Sequence, residues 1–277
     1  MQPVSKPVRA MEIQWVDLDG QLLRVGIRRG SAAAPPLVIF NGIGANLELL
    51  EPFVEALEDV EVVIFDIPGV GGSPAPRAPY RFSKLSVLTD KLLSKLGYDG
   101  PVDVLGVSWG GALAQQFALR YPTRCRRLVL VATTPGVIMV PARLSVLFKM
   151  IGPRRYRDPA FLQEVGADIY GGMYRRNPEL LKEHTHHIRP PAGRGYVYQL
   201  LALCGWSSLP WLGRLRQPTL VMHGDDDPIV PLVNARVLAA RIRHSTLHVI
   251  EDGHLFLVTQ TSRVAHVVRD FLQREAC

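Results

Sequence analysis

Ser108, held in Gly106-Val107-Ser108-Trp109-Gly110, is the most chemically suggestive residue of this chain of 277. A serine hydroxyl is a weak nucleophile at neutral pH. It needs a nearby base, an acid that orients the base, and donors for the oxyanion that forms on attack. The base candidate is His254, in Glu251-Asp252-Gly253-His254-Leu255-Phe256. The acid candidates lie in His223-Gly224-Asp225-Asp226-Asp227-Pro228. Three adjacent carboxylates repel, so one is expected to turn toward His254 while the others shape the turn, and the residues alone leave Asp225 and Asp227 both open. The oxyanion donors expected are the backbone N–H of Trp109, just after the nucleophile, and that of Ile43 in the glycine-rich loop Asn41-Gly42-Ile43-Gly44-Ala45. A Gly-x-Ser-x-Gly match would arise by chance in roughly one such chain in ten, so the pentapeptide needs this company.

These groups work only if the chain places them. Residues 102–105 read as a short buried strand, and 111–121 as a helix packed through small residues, so Ser108 falls in the sharp turn between them. Glycines two residues either side remove the Cβ atoms that would collide there. Alternating residues over 12–16 and 22–27, separated by Asp19-Gly20, predict a β-hairpin. Short apolar strands at 37–40, 62–65, 102–105 and 128–131 then alternate with helical patterns at 47–57, 85–96 and 111–121. The alternation stops near Thr134 and resumes with a strand at 218–223, a helix at 235–242, a strand at 246–250 and a helix at 262–274. This pattern predicts an α/β fold, a mostly parallel sheet covered on both faces by helices. Residues 1–134 and 218–277 would form its core, with 135–217 inserted as a helical cap over the strand ends, where ligands bind in open α/β sheets. In the insertion, Trp206, Leu209, Trp211 and Leu212 suit either an apolar acyl pocket or packing of cap on core.

Composition narrows the function classes. Cys125, Cys204 and Cys277 are too few and scattered for a disulfide framework, and no Cys-x-x-Cys spacing suggests zinc or redox chemistry. His184, His186 and His187 lack a supporting carboxylate or cysteine set and read as solvated cap residues, so no metal is expected. The loop Asp66-Ile67-Pro68-Gly69-Val70-Gly71-Gly72-Ser73 lacks the Gly-Lys-Ser/Thr ending of a phosphate-binding loop. The first ten residues do not look like a secretory signal, and no stretch approaches the roughly 18 apolar residues of a membrane span, so a cytoplasmic protein is expected. The net charge is +7, and residues 135–217 hold 12 of the 32 Lys+Arg but 5 of the 25 Asp+Glu, so the whole excess lies in the insertion. That basic face reads as a solvated surface or as one attracted to an anionic coat. No nucleic-acid motif accompanies it, and nucleic acid is not expected as a partner.

Four stretches together resemble the α/β-hydrolase superfamily over nearly the whole chain, and more narrowly the intracellular medium-chain-length polyhydroxyalkanoate depolymerases of bacteria. They are 40–49, beginning Phe40-Asn41-Gly42-Ile43-Gly44-Ala45; 106–117, beginning Gly106-Val107-Ser108-Trp109-Gly110-Gly111; Gly224-Asp225-Asp226-Asp227-Pro228; and Asp252-Gly253-His254-Leu255-Phe256-Leu257. The order Ser, Asp, His is the one expected of α/β-hydrolases, and the family spacing Gly-x-x-Asp selects Asp227 over Asp225. Many relatives carry His-Gly where this chain has Asn41-Gly42, a change that leaves the backbone donors in place. The resemblance implies a serine esterase without metal or organic cofactor, with Ser108 as nucleophile, Asp227 as acid and His254 as base. It also implies stored polyester as substrate, and the charge of the basic cap separately suggests that its arginines, including Arg154, Arg155, Arg157, Arg175 and Arg176, help dock the protein on the anionic coat of a granule. The same triad also serves carboxylesterases, lactonases and carbon–carbon bond hydrolases of small molecules. A non-catalytic binding module of this fold would be expected to have lost a triad member.

Overall fold

The computed structural model describes residues 10–30, 34–150, 154–182 and 193–274. His184, His186, His187 and Cys277 lie outside these, as do the first nine residues. The hairpin forms as expected: β1 (Glu12–Leu18) and β2 (Gln21–Arg28) pair antiparallel around Asp19-Gly20, and Asp19 itself adopts a positive φ of 53° that an Asp-Gly turn accommodates. Next come β3 (Leu37–Phe40), α1 (Glu51–Ala56), β4 (Val62–Phe65), α2 (Phe82–Lys95), β5 (Val102–Val107), α3 (Trp109–Arg120) and β6 (Cys125–Val131). Strands β3 to β5 are buried along their full length, as central strands covered on both faces must be.

Three boundaries differ from the periodicity. The helix expected over 47–57 is a 3-10 turn (Leu47–Leu50) followed by α1, because Pro52 sits in the first turn and restarts the helix where its missing N–H costs nothing. Helix α2 begins at Phe82, whose buried ring packs 4.8 Å from the Trp109 ring and 5.0 Å from Trp206. Strand β6 starts at Cys125 instead of 128, since two arginines interrupt the apolar pattern; Arg126 donates to both carboxylate oxygens of Asp103 on β5.

Beyond β6 the described chain is helical: α4 (Leu144–Met150), α5 (Arg154–Arg157), α6 (Pro159–Tyr170), α7 (Gly172–Arg176), α8 (Gly195–Leu203) and a 3-10 turn (Leu209–Arg214). Here α4, α6 and α7 bury Val146, Leu162, Val165, Ile169 and Tyr174 in an apolar cluster of their own. The sheet then resumes with β7 (Thr219–Gly224), α9 (Val233–Arg241), β8 (Ser245–Ile250), α10 (Phe256–Thr259) and α11 (Thr261–Gln273).

The eight strands run in the order β1-β2-β4-β3-β5-β6-β7-β8, parallel from β4 onward. Apolar clusters cover both faces. One joins β2, β5 and β6 to α2 and α3; the other joins β3, β4 and β5 to α1 and α11. Chain order reverses beside β3, so the loops leaving β3 and β5 diverge to opposite sides and open a crevice at their carboxyl ends. Ser108 follows β5 directly, and the Asn41 loop follows β3.

Candidate active site

Strand β5 runs straight into α3, and Ser108 between them has φ 52° and ψ −114°. Such a conformation is strained for a residue with a side chain, and the surroundings hold it: the Ser108 N–H donates to Val131 C=O at 2.8 Å, and the Thr133 hydroxyl donates to Ser108 C=O at 2.6 Å. Glycine is required on either side. A Cβ on Gly106 would lie 2.4 Å from Gly110 C=O, and one on Gly110 would lie 2.1 Å from Phe40 C=O.

The three side chains singled out from the sequence meet. Ser108 Oγ is 3.1 Å from His254 Nε2, and His254 Nδ1 is 2.7 Å from Asp227 Oδ2. An ionised carboxylate only accepts, so Nδ1 carries the proton and Nε2 presents its lone pair to the serine hydroxyl. Asp227 Oδ1 accepts the N–H groups of Ile229 and Val230, each at 2.9 Å. Burial alone would raise the Asp227 carboxyl, but the charge of His254 and hydrogen bonds from His223 and His254 outweigh it and hold the group at about 2. Asp227 is thus a fixed anion at neutral pH.

The other aspartates shape the turn. Asp225 accepts the Asp252 N–H at 3.0 Å, and Asp226 accepts Gly172 N–H at 2.8 Å and pairs with Arg175 at 2.6 Å. Two residues beyond the sequence reading support the constellation. His223 is fully buried, donates through Nε2 to Val230 C=O at 2.7 Å and stands 3.4 Å from Asp227 Oδ2, bracing the acid loop. Buried Asp252 accepts Met173 N–H and Gly253 N–H at 2.7 Å on one oxygen, and the Thr259 hydroxyl and Gln260 amide on the other, fixing the histidine loop. The His254 N–H donates to Tyr170 C=O at 2.8 Å, so α6 also anchors that loop. Neither support was visible in the motif spacing: His223 meets Asp227 and Val230 only because the acid loop folds back on the strand end, and Asp252 also holds Met173, 79 residues away.

In the loop after β3, the Asn41 side chain bridges the turn, donating to Asn46 C=O and accepting Gly42 N–H, both at 2.8 Å. Gly44 N–H goes to Gln199 Oε1 at 2.7 Å, and Ala45 N–H to Gly42 C=O at 3.2 Å. Among the described residues no acceptor is bonded to the Ile43 N–H. Trp109 opens α3, so its N–H has no partner within the helix. The helical segment grips both elements: the Tyr156 hydroxyl donates to Ile43 C=O at 2.5 Å, and the Trp109 indole N–H to Gln199 C=O at 2.8 Å.

A cavity of about 60 Å³ lies over Ser108 and His254, lined on its apolar side by Leu49, Met150, Ile229, Leu255, Leu257 and Val258. Trp206, Leu209, Trp211 and Leu212 do not line it. They pack on the core instead, with the Trp206 indole donating to Gln116 at 3.0 Å, which is the packing alternative of the sequence reading. One expectation is corrected. Arg155, grouped with the docking arginines, is only 3% exposed and belongs to the cavity wall, because its guanidinium stacks on the Tyr156 ring at 4.5 Å and bonds the Tyr196 and Tyr156 hydroxyls. Among the described residues no group of His, Cys, Asp and Glu is arranged to hold a metal ion, and no helix is long and apolar enough to cross a membrane.

Residues 35–260 match the alpha/beta hydrolase fold family, and the protein belongs to it. Within that family it is 54% identical over 261 residues to the poly(3-hydroxyalkanoate) depolymerase of Ectopseudomonas oleovorans, covering 94% of this chain and 92% of that one. It is 28% identical to 3-oxoadipate enol-lactonase 2 of Acinetobacter baylyi over 88% of this chain and 91% of that one. Among solved structures, a hydrolase from Pseudomonas aeruginosa superposes with a TM-score of 0.79 at 24% identity, covering 95% of this chain and 98% of that one.

Proposed function

We propose that the protein is a serine hydrolase that cleaves the ester bonds of intracellular medium-chain-length poly(3-hydroxyalkanoate) and releases 3-hydroxy acids. The observation that carries the chemistry is the hydrogen-bonded line from Ser108 through His254 to the buried Asp227 at the floor of a largely apolar cavity. The substrate class rests on the 54% identity to a poly(3-hydroxyalkanoate) depolymerase.

Ser108 Oγ attacks the ester carbonyl while His254 Nε2 takes its proton, and Asp227 keeps the imidazole in the Nδ1–H tautomer and stabilises the imidazolium. The N–H groups of Ile43 and Trp109 receive the oxyanion. As the intermediate collapses, the carbon–oxygen bond breaks and His254 returns the proton to the leaving alcohol. Water, activated by the same histidine, then cleaves the acyl-enzyme. Residues 135–217 act as the cap over a core of 1–134 and 218–277. The cavity, at about 60 Å³, has room for a few waters and not for the alkyl side chain of an eight-carbon monomer, so the polymer reading requires its apolar wall to open. That size is also what favours the second reading, a hydrolase of small esters or lactones.

Medium-chain polyester, short-chain polyester and p-nitrophenyl esters offered side by side separate the two. Release of hydroxy acids from the medium-chain polymer is expected; turnover of the small esters alone would defeat the polymer reading. Ser108→Ala should abolish all of it with the fold intact, and retained activity would remove Ser108 from its role.

For a cytoplasmic protein working on storage granules, the exposed arginines Arg154, Arg157, Arg175 and Arg176 supply a docking face for an anionic coat. Cosedimentation with granules should weaken as salt rises, and charge reversal of these four should remove that dependence. Unchanged binding in the reversed variant would refute the docking role.

A further inference from the structure

The cavity over Ser108 contains one cation that the hydrolytic step does not use. Arg155, on α5, sits in its wall almost wholly buried. Taking a guanidinium out of water costs several kcal/mol unless a counter-charge and hydrogen bonds offset it. Its bonds here are all to neutral groups: Nη1 donates to Met150 C=O at 2.9 Å and to the Tyr196 hydroxyl at 3.2 Å, and Nη2 donates to the Tyr156 hydroxyl at 3.1 Å. Tyr156 and Tyr196 also stack on it, with ring centroids 4.5 and 5.7 Å from the guanidinium carbon. Among the described residues no carboxylate pairs with it, whereas Arg154 next to it pairs with Asp158. The Tyr170 hydroxyl also bonds this guanidinium, so its shell is made of neutral groups and what it lacks is a counter-charge. An anion entering the cavity would supply the missing counter-charge, and the fork of an arginine fits a carboxylate.

The position matches a particular carboxylate. The Tyr156 hydroxyl that accepts from Arg155 itself donates to Ile43 C=O at 2.5 Å, so the guanidinium lies two hydrogen bonds from the residue whose N–H faces the scissile carbonyl. In a 3-hydroxyacyl polyester the last ester carbonyl is separated from the terminal carboxylate by one oxygen and two carbons, four bonds or roughly 5 Å. A chain end bound with its last ester at Ser108 therefore brings its carboxylate within reach of Arg155.

We propose that Arg155, held by Tyr156 and Tyr196, is a carboxylate-binding subsite on the alcohol side of the scissile ester, and that the protein removes 3-hydroxy acids from the carboxyl end of the chain. The inference rests on the polyester reading of this same site. In each cycle Ser108 forms the new acyl–oxygen bond and the old ester bond breaks. The departing terminal 3-hydroxy acid takes its alcohol proton from His254 and leaves with its carboxylate on Arg155. The shortened chain stays as the acyl-enzyme until water releases it with a new free carboxylate.

The test compares the linear trimer of 3-hydroxyoctanoate as the free acid with its methyl ester, which has the same internal esters and no terminal charge. The wild-type protein should favour the acid by roughly 30-fold in kcat/KM, the loss expected for an unpaired buried charge partner. In Arg155→Met that ratio should collapse to about one, and Arg155→Lys should keep part of it. Because the readout is a ratio within one protein, a general loss of activity in a variant does not imitate it. Equal rates for acid and methyl ester in the wild type, or a preference that survives Arg155→Met, would overturn the subsite while leaving the polyester reading in place. Failure to cleave either trimer, with p-nitrophenyl octanoate still turned over, would overturn both.

Discussion

Replacing Asp227 by asparagine changes one atom and should cost about 10³–10⁴-fold in kcat. Its magnitude follows from the bonds around the side chain. Asp227 Oδ1 accepts the N–H groups of Ile229 and Val230, while Oδ2 accepts from His254 Nδ1. An asparagine must choose. With its carbonyl oxygen toward the two backbone donors, its NH₂ faces Nδ1, which must then be the acceptor nitrogen. The neutral imidazole would carry its proton on Nε2, the nitrogen that has to receive the Ser108 proton. The opposite orientation restores the working tautomer but points NH₂ at two backbone N–H groups. Each orphaned donor costs roughly 1–3 kcal/mol, so the pair costs about 2–6. At about 1.4 kcal/mol per tenfold, the competent arrangement is depleted roughly 30-fold to 10⁴-fold before the lost anion, which stabilises the imidazolium, is counted.

Asp227 does not itself line the cavity, so KM should stay within about threefold, and the loss should appear in the acylation burst of p-nitrophenolate. Asp226→Asn is the matched control. Its side chain is directed to Arg175 and the Gly172 N–H, away from His254, and kcat should hold within about threefold. An Asp227→Asn protein retaining more than a tenth of wild-type kcat would refute the tautomer argument. So would an equal loss in Asp226→Asn.

Acid stability gives an independent check on the same carboxylate. Asp227 is held at about 2 against an ordinary 3.8, so the stability it adds, about 2 kcal/mol, is complete well above pH 4 and is lost as pH falls through 3.8 toward 2. Glu48 behaves alike: burial opposes ionisation, but hydrogen bonds from Arg24 and Asn46 hold it at about 2. Urea unfolding at pH 5 and pH 2.5 should show the fall, and Asp227→Asn should flatten it; an unchanged slope would mean the carboxylate is not depressed. Asp252→Ala orphans the Met173 and Gly253 N–H groups. It should lower stability by about 2–4 kcal/mol and kcat by at least tenfold with the burst diminished. Loss of stability with full kcat would show that Asp252 braces the fold and not the histidine loop.

What could be read from the sequence, and what could not, divides by the reach of the interactions. Local signals served well: the Asp19-Gly20 hairpin, the buried strands and the strand–Ser108–helix turn each depend on residues a few positions apart, where period and glycine placement decide geometry. The order and spacing of the Asp227 and His254 loops survived because parallel strands deliver successive loops to the same sheet edge. Arg155 fails on the opposite ground. In sequence it stands in Arg154-Arg155-Tyr156-Arg157 and looks like one more charge on a basic face, and three of these four are at least partly exposed. Which of them turns inward depends on Tyr196, 41 residues on, and on the β3 loop, 113 residues before Tyr156. No periodicity over a four-residue helix encodes that. The charge count that suggested a docking surface therefore included an arginine whose burial makes it part of the cavity wall.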